Sequence, residues 1–278
     1  MKYIIITADD YGMSESVNRA IEECIESGLI KSTNIMVNMD FAEECISLRK
    51  KYPNISIGLH WNITCGSPIL EASKVPSLVD SNGKFNSRRV QTTIGKIKKK
   101  ELTDELIAQY EKFVSLVGEP DYWNTHENVH MTFNYFNFFV DLANSLGIKK
   151  FRSHERIYTK FNPSTVNDYI WVALNPIKSL ISKSWFPSAR KKGAKTPEGL
   201  ILYKNQLQKL DFKNSYKDII WKNRNIIELI VHPAKSIDCK YFGNIGEARI
   251  YEYKLFSDKE LLRILNDNGI QIVGFEVV

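Results

Sequence analysis

Short apolar runs alternate with amphipathic stretches through the first half of the chain. Residues 3–8 open on Tyr3-Ile4-Ile5-Ile6, the continuous apolar run of a strand buried on both faces. Residues 14–27 follow with helical spacing, with Ser14 placed to cap them and Gly28 to stop them. The same reading predicts a strand at 33–39, a helix at 41–51 before Pro53, and a strand at 55–62. A helix at 101–117 stopped by Gly118, a strand at 122–125, a helix at 135–146 stopped by Gly147 and a strand at 150–152 come next. Towards the end it predicts a strand at 226–231, a loop at 235–256, a helix at 258–268 capped by Ser257, and a strand at 270–275. Alternation of this kind predicts parallel strands joined by crossover helices, an α/β fold.

Two stretches break the pattern. Residues 65–100 are rich in Ser, Gly, Pro and Lys and predict a long loop, with room for a short helix. Its lysine run at 96–100 reads as a solvated face. Residues 160–225 are punctuated by Pro163, Pro176, Pro187 and Pro197. They mix Tyr169, Trp171, Trp185 and Phe186 with Lys183, Arg190, Lys191, Lys192 and Lys195. That segment reads as an insertion or cap. It is either a basic, aromatic surface for sugars, anionic glycans or headgroups, or a helical cover with no ligand.

Composition narrows the class. The 278 residues are 43% hydrophobic and 25% charged, ordinary for a globular protein, and one domain over 1–278 is expected. The net charge of +6 fits an anionic partner or plain solubility, and no nucleic-acid motif accompanies it, so no nucleic acid is expected. Four cysteines form no C-x-x-C pair, so a zinc ribbon is not expected, and Cys24 and Cys45 read as reduced core residues. No apolar run approaches the ~18 residues of a membrane span, and no basic segment leads into an apolar one at the start. The expectation is a cytoplasmic protein with no transmembrane segment; a homo-oligomer is left open.

Candidate chemistry gathers at the predicted strand ends. Asp9 and Asp10 stand together where the first strand turns towards its helix. Two carboxylates that close call for a cation or a shared proton, so they suggest a metal site or a general base. A capping aspartate beside a solvated one would leave the same trace. All five histidines, His60, His126, His130, His154 and His232, also fall at or just after strand ends. In (β/α) barrels and open α/β sheets that is where sites are built. Aspartate with histidine suits a divalent metal. Neither a G-x-S-x-G elbow nor a phosphate-binding loop is present, which disfavours serine hydrolases and nucleotide triphosphatases.

Four strings carry a resemblance: T-A-D-D-Y-G with N-R-A-I after it, G-L-H-W-N-I-T, T-H-E-N-V-H-M, and V-H-P-A. In this order and spacing they resemble the YdjC-like (ChbG-type) carbohydrate deacetylases, from Thr7 to Ala234. The resemblance implies a (β/α) barrel-like fold related to the polysaccharide deacetylases. It also implies metal-dependent removal of acetyl groups from N-acetylated sugars such as chitooligosaccharides, with Mg2+ or Zn2+ as the ion. On the matching positions it implies Asp10, His60 and His126 as metal ligands, Asp9 as catalytic base and His232 as general acid. His130, Arg152, Trp61 and Tyr11 are candidates for substrate contact; Arg152 reads equally as orienting Asp9, His130 as a further ligand or a structural hydrogen-bond partner, and Trp61 and Tyr11 as core packing. If His126 and His130 lie on a helix, their spacing puts them on one face. One departure stands out: the family commonly has a histidine where this chain has Asn128, which bears on substrate specificity. Two other classes share the ligand set, a metal-dependent phosphoesterase and a non-catalytic carbohydrate-binding protein.

Overall fold

The computed structural model describes residues 2–152, 156–157, 180, 184–201 and 224–278. Its strands are β1 (Lys2–Tyr11), β2 (Ser32–Ile35), β3 (Ser56–Trp61), β4 (Trp123–Thr125), β5 (Arg156–Ile157), β6 (Gly199–Ile201), β7 (Ile226–Val231) and β8 (Ile270–Val273). They form one parallel sheet in the order β4-β3-β2-β1-β7-β6-β5, with β8 against β1. Parallel bridges at Trp123–Phe151 and Lys150–Lys195 continue the sheet past β4 towards the segment that enters β6. The result is the α/β, barrel-like sheet expected.

β1 is the central strand. It pairs with β7 from Tyr3 to Ala8, with β8 from Lys2 to Ile5, and with β2 from Thr7 onwards. Ile4, Ile5 and Ile6 are fully buried, as a strand covered on both faces requires. The helices cover the sheet: α1 (Glu15–Glu26), α2 (Lys99–Val117), α3 (Phe136–Ser145), α4 (Gly246–Phe256) and α5 (Lys259–Asp267). Ser14 caps α1 by accepting from the Val17 N–H at 3.3 Å. The inside of the sheet is partly polar. Thr7 donates to Glu228, and Ser32 donates to the Tyr122 hydroxyl at 2.9 Å. Gly58 is needed there, because a Cβ would stand 2.5 Å from the Tyr122 ring.

The expected elements differ from the observed ones in identifiable places. Residues 41–51 form a 3-10 turn (Ala42–Ser47) and one short helical turn (Leu48–Lys51), not a full helix. Residues 150–152 contribute only bridges. The cap of α5 is Asp258, which accepts from Glu260 N–H, and not Ser257. Within the segment read as an insertion, Gly199–Ile201 is a sheet strand, β6. Trp185, half-buried, and Phe186, buried, pack on Phe136, so these two join the core, while Tyr169 and Trp171 lie outside the described residues. Most of 160–225, and His154, lie outside the described residues. All four cysteines are free. No described helix is long and apolar enough to cross a membrane.

Candidate active site

Asp9 and Asp10 would point to opposite faces on a regular strand. They converge because Asp10 takes φ +76°, a region aspartate enters more readily than most residues, and the register of β1 slips between Ala8 and Tyr11. Gly12, at φ +99°, completes the turn; a Cβ there would lie 3.0 Å from Ala42 Cα. Both carboxylates then face a cavity of about 350 Å3 at the carboxyl ends of β1, β3, β4 and β7.

Asp10 is fully buried and meets two imidazoles and a guanidinium. Its Oδ1 lies 3.0 Å from His126 Nδ1 and 3.2 Å from His60 Nε2. Its Oδ2 accepts from Arg249 Nη2 at 2.5 Å. Burial would raise the Asp10 pKa, but Arg249 and His126 hold it well below the usual carboxylate range. His60 pairs across the sheet with Asn124, whose Oδ1 accepts from His60 Nδ1 in a short hydrogen bond. That fixes the tautomer and leaves the Nε2 lone pair facing Asp10. Oxygen and nitrogen atoms of Asp10, His60 and His126 all lie within 4.8 Å of one another, close enough to share one ion.

Asp9 is held differently. Arg152 grips it with Nη1 on Oδ2 at 2.7 Å and Nη2 on Oδ1 at 2.5 Å, and Asn34 Nδ2 donates to Oδ1 at 2.6 Å. Arg152 is itself buried and gives its Nε to Glu228 at 3.1 Å. Burial pushes the Asp9 pKa up; the Arg152 charge and hydrogen bonds outweigh it and keep the carboxyl ionised. His232 Nε2 lies 3.9 Å from Asp9 Oδ2. On the other side of the ring, Glu252 Oε2 accepts from the His232 backbone N–H at 2.5 Å and lies 3.9 Å from Nδ1. Burial lowers the His232 pKa to about 4 and raises that of Glu252 to about 7.

A family model described as YdjC-like protein matches residues 3–267. The chain belongs to the YdjC-like family. A carbohydrate deacetylase of Thermoanaerobacter pseudethanolicus is 24% identical over 100% of both chains. A chitooligosaccharide deacetylase of Proteus mirabilis is 25% identical over 98% of this chain and 97% of that one. A carbohydrate deacetylase of Geobacillus stearothermophilus is 37% identical over 51% of this chain and 56% of its own. A solved structure from Enterococcus faecalis V583, of a protein provisionally assigned to cellobiose-phosphate cleavage, superposes with a TM-score of 0.77. It is 22% identical and covers 99% of this chain and 98% of that one, which speaks for the shared fold.

Within this YdjC-like chain the cavity brings together Asp9, Asp10, His60, His126 and His232. Four other candidates stand back from it. Arg152 lies behind Asp9 and orients it. Trp61 is buried against Trp123 and Phe139, with its Nε1–H on the Leu106 carbonyl. Tyr11 is buried and donates to Glu22 at 3.0 Å. His130 is buried beside Trp123, with Nδ1 2.6 Å from Thr125 Oγ1. The helical spacing assumed for His126 and His130 does not hold, because Glu127 and Asn128 between them take left-handed φ values of 51° and 52°. That break sends His126 to the cavity and His130 to the core.

Sequence reasoning missed Arg249, Glu252, Asn34, Asn124 and Glu228. Arg249 and Glu252 sit on α4, inside a stretch read as loop. Asn34 and Asn124 left a signal, a polar residue inside a short buried strand.

Proposed function

We infer that this chain is a metal-dependent hydrolase that removes acetyl groups from N-acetylated sugars, chitooligosaccharides or related glycans. The observation that carries the reading is the Asp10, His60 and His126 cluster opening on the same cavity as Asp9 and His232. The donor set fits a divalent ion, Mg2+ or Zn2+. It has one carboxylate and two imidazoles, and His60 Nε2 is buried with no hydrogen-bond partner among the described residues. Three protein ligands leave room for water and substrate, the pattern of a catalytic centre. Bound there, the ion supplies Lewis-acid polarisation of an acyl oxygen and acidifies a water.

The remaining steps belong to the chain's own residues. Asp9 takes the water proton, kept ionised and aimed by Arg152 and Asn34. His232 hands a proton to the departing sugar amine. With a pKa near 4 it is neutral at pH 7, so it must gain that proton first. Glu252, at about 7 and beside Nδ1, is placed to share it. The deacetylase relatives support the N-acetyl sugar as substrate.

The test is acetate release from a panel of N-acetylated sugars by metal-stripped protein. Magnesium, zinc, manganese or cobalt is then restored, with His126→Ala alongside. Release that metal restores and His126→Ala abolishes is the expected outcome. No release from any sugar, with metal bound by the wild type, would sink the reading, and a phosphoester panel would follow.

A further inference from the structure

Besides His60, two side chains lining the cavity carry buried polar atoms that have no hydrogen-bond partner among the described residues. Arg249 is 2% exposed. Its Nη2 is on Asp10, yet its Nε and Nη1 are buried without an acceptor. The Phe242 ring lies 4.5 Å from the guanidinium carbon. Asn128 has its Oδ1 buried and equally unmet. Its backbone is held in the left-handed region, as is that of Glu127 before it, an arrangement that costs free energy and clusters at binding sites. Arg249 and Asn128 line the same space. A buried polar atom without a partner costs about 1–3 kcal/mol, so three on two residues that line one cavity point to a ligand or water as the missing partner.

The chemistry of the two groups selects the ligand. A guanidinium only donates, and an amide oxygen only accepts. An ionised phosphate or carboxylate would satisfy Arg249 but, with the Asn128 amide oriented as it is, would set its lone pairs against Oδ1. Sugar hydroxyls can accept from Arg249 and donate to Asn128 Oδ1. A sugar ring also has an apolar face, and Ile230, Tyr241, Phe242 and Ile245 line the same cavity. We propose that Arg249 and Asn128 form a subsite for neutral hydroxyls of the sugar ring, beside the Asp10 cluster, and disfavour a charged substituent there. The assignment rests on the sugar-deacetylase reading and deepens it.

The probe is N,N′-diacetylchitobiose, titrated by calorimetry or NMR into metal-loaded Asp9→Asn protein, with Arg249→Lys or Asn128→Gly added. Glycine suits the backbone of position 128, and lysine keeps a cation beside Asp10, so the fold is spared; thermal melts check it. Each added change should weaken sugar binding by about fivefold to tenfold, with metal per chain unchanged by elemental analysis. In the wild-type background the same changes should raise KM for this sugar. The 6-phosphorylated disaccharide should bind no more tightly than the neutral one. Unchanged affinity in either variant, metal lost with Arg249→Lys, or clearly tighter binding of the phosphorylated sugar overturns the proposal. Acetate release by the wild type is scored separately. Its absence, with sugar binding intact and sensitive to both changes, would remove the deacetylase reading and leave the subsite standing.

Discussion

His232 Nε2 lies 3.9 Å from Asp9 Oδ2, across the edge of one cavity and from two neighbouring strands. The two groups are too far apart for a hydrogen bond and close enough to serve opposite sides of one reacting group. Removing either should therefore cost catalysis and spare the metal. Asp9→Asn is expected to lower kcat for acetate release by about 10^2–10^4, the usual worth of a general base. His232→Ala should do the same and remove one limb of the pH profile. Metal content measured alongside should stay at the wild-type level. Near-normal turnover in metal-loaded Asp9→Asn would rule out the base.

Metal affinity should depend on a residue outside the Asp10, His60 and His126 cluster. Asn124 holds His60 in the tautomer that presents Nε2 to Asp10. Outer-shell partners of this kind are worth about 10–100-fold in affinity. Asn124→Ala should weaken zinc binding by that order in a competition titration, and His126→Ala by more. Equal affinities for wild type and Asn124→Ala would mean that the ring is held by packing alone.

The central strand and the residues that meet in the cavity are legible in the sequence because two signals coincide. Tyr3-Ile4-Ile5-Ile6 has no alternation, which marks a strand covered on both sides, and Asp9 and Asp10 follow it directly. The histidines at 60, 126 and 232 also fall at or just after predicted strand ends. Helix α4 was illegible for a physical reason. Its inward face carries Arg249 and Glu252 as well as Leu255 and Phe256. A helix that serves a polar cavity hides its apolar period. The place of His130 in the core could not be read from its spacing, because nothing there announces the left-handed pair Glu127–Asn128. Asp258 is the cap of α5 although Ser257 before it has an equally suitable side chain, a one-residue choice that local composition does not decide.

Arg152 is expected to matter for stability as much as for reaction. It is buried between Asp9 and Glu228 and is the guanidinium that bonds both. Arg152→Met would leave two buried carboxylates without their cation. Breaking a buried ion pair from one side costs about 3–5 kcal/mol. Urea unfolding of the metal-free variant at pH 7 should show a loss of that size, partly recovered as pH falls and the carboxylates protonate. A loss below about 1 kcal/mol, as for a surface pair, would show that the network is not held as described.

Glu252 should make stability depend on pH in an unusual direction. Burial raises its pKa to about 7 from an ordinary 4.5. Between those values the folded protein holds a proton that the unfolded chain has released. Stability contributed by this group is therefore complete below about pH 4.5 and is lost as pH rises towards 7. Glu252→Gln cannot ionise and escapes the loss. Metal-free Glu252→Gln, compared with wild type by chemical denaturation, should gain in relative stability from pH 5 to pH 8, by an amount on the order of 1–3 kcal/mol. In metal-loaded enzyme the same change removes the carboxylate beside His232 Nδ1. The imidazolium loses a stabilising neighbour, so the alkaline limb of kcat/KM should move to lower pH. A flat stability difference together with an unmoved alkaline limb would mean that Glu252 only anchors the His232 backbone.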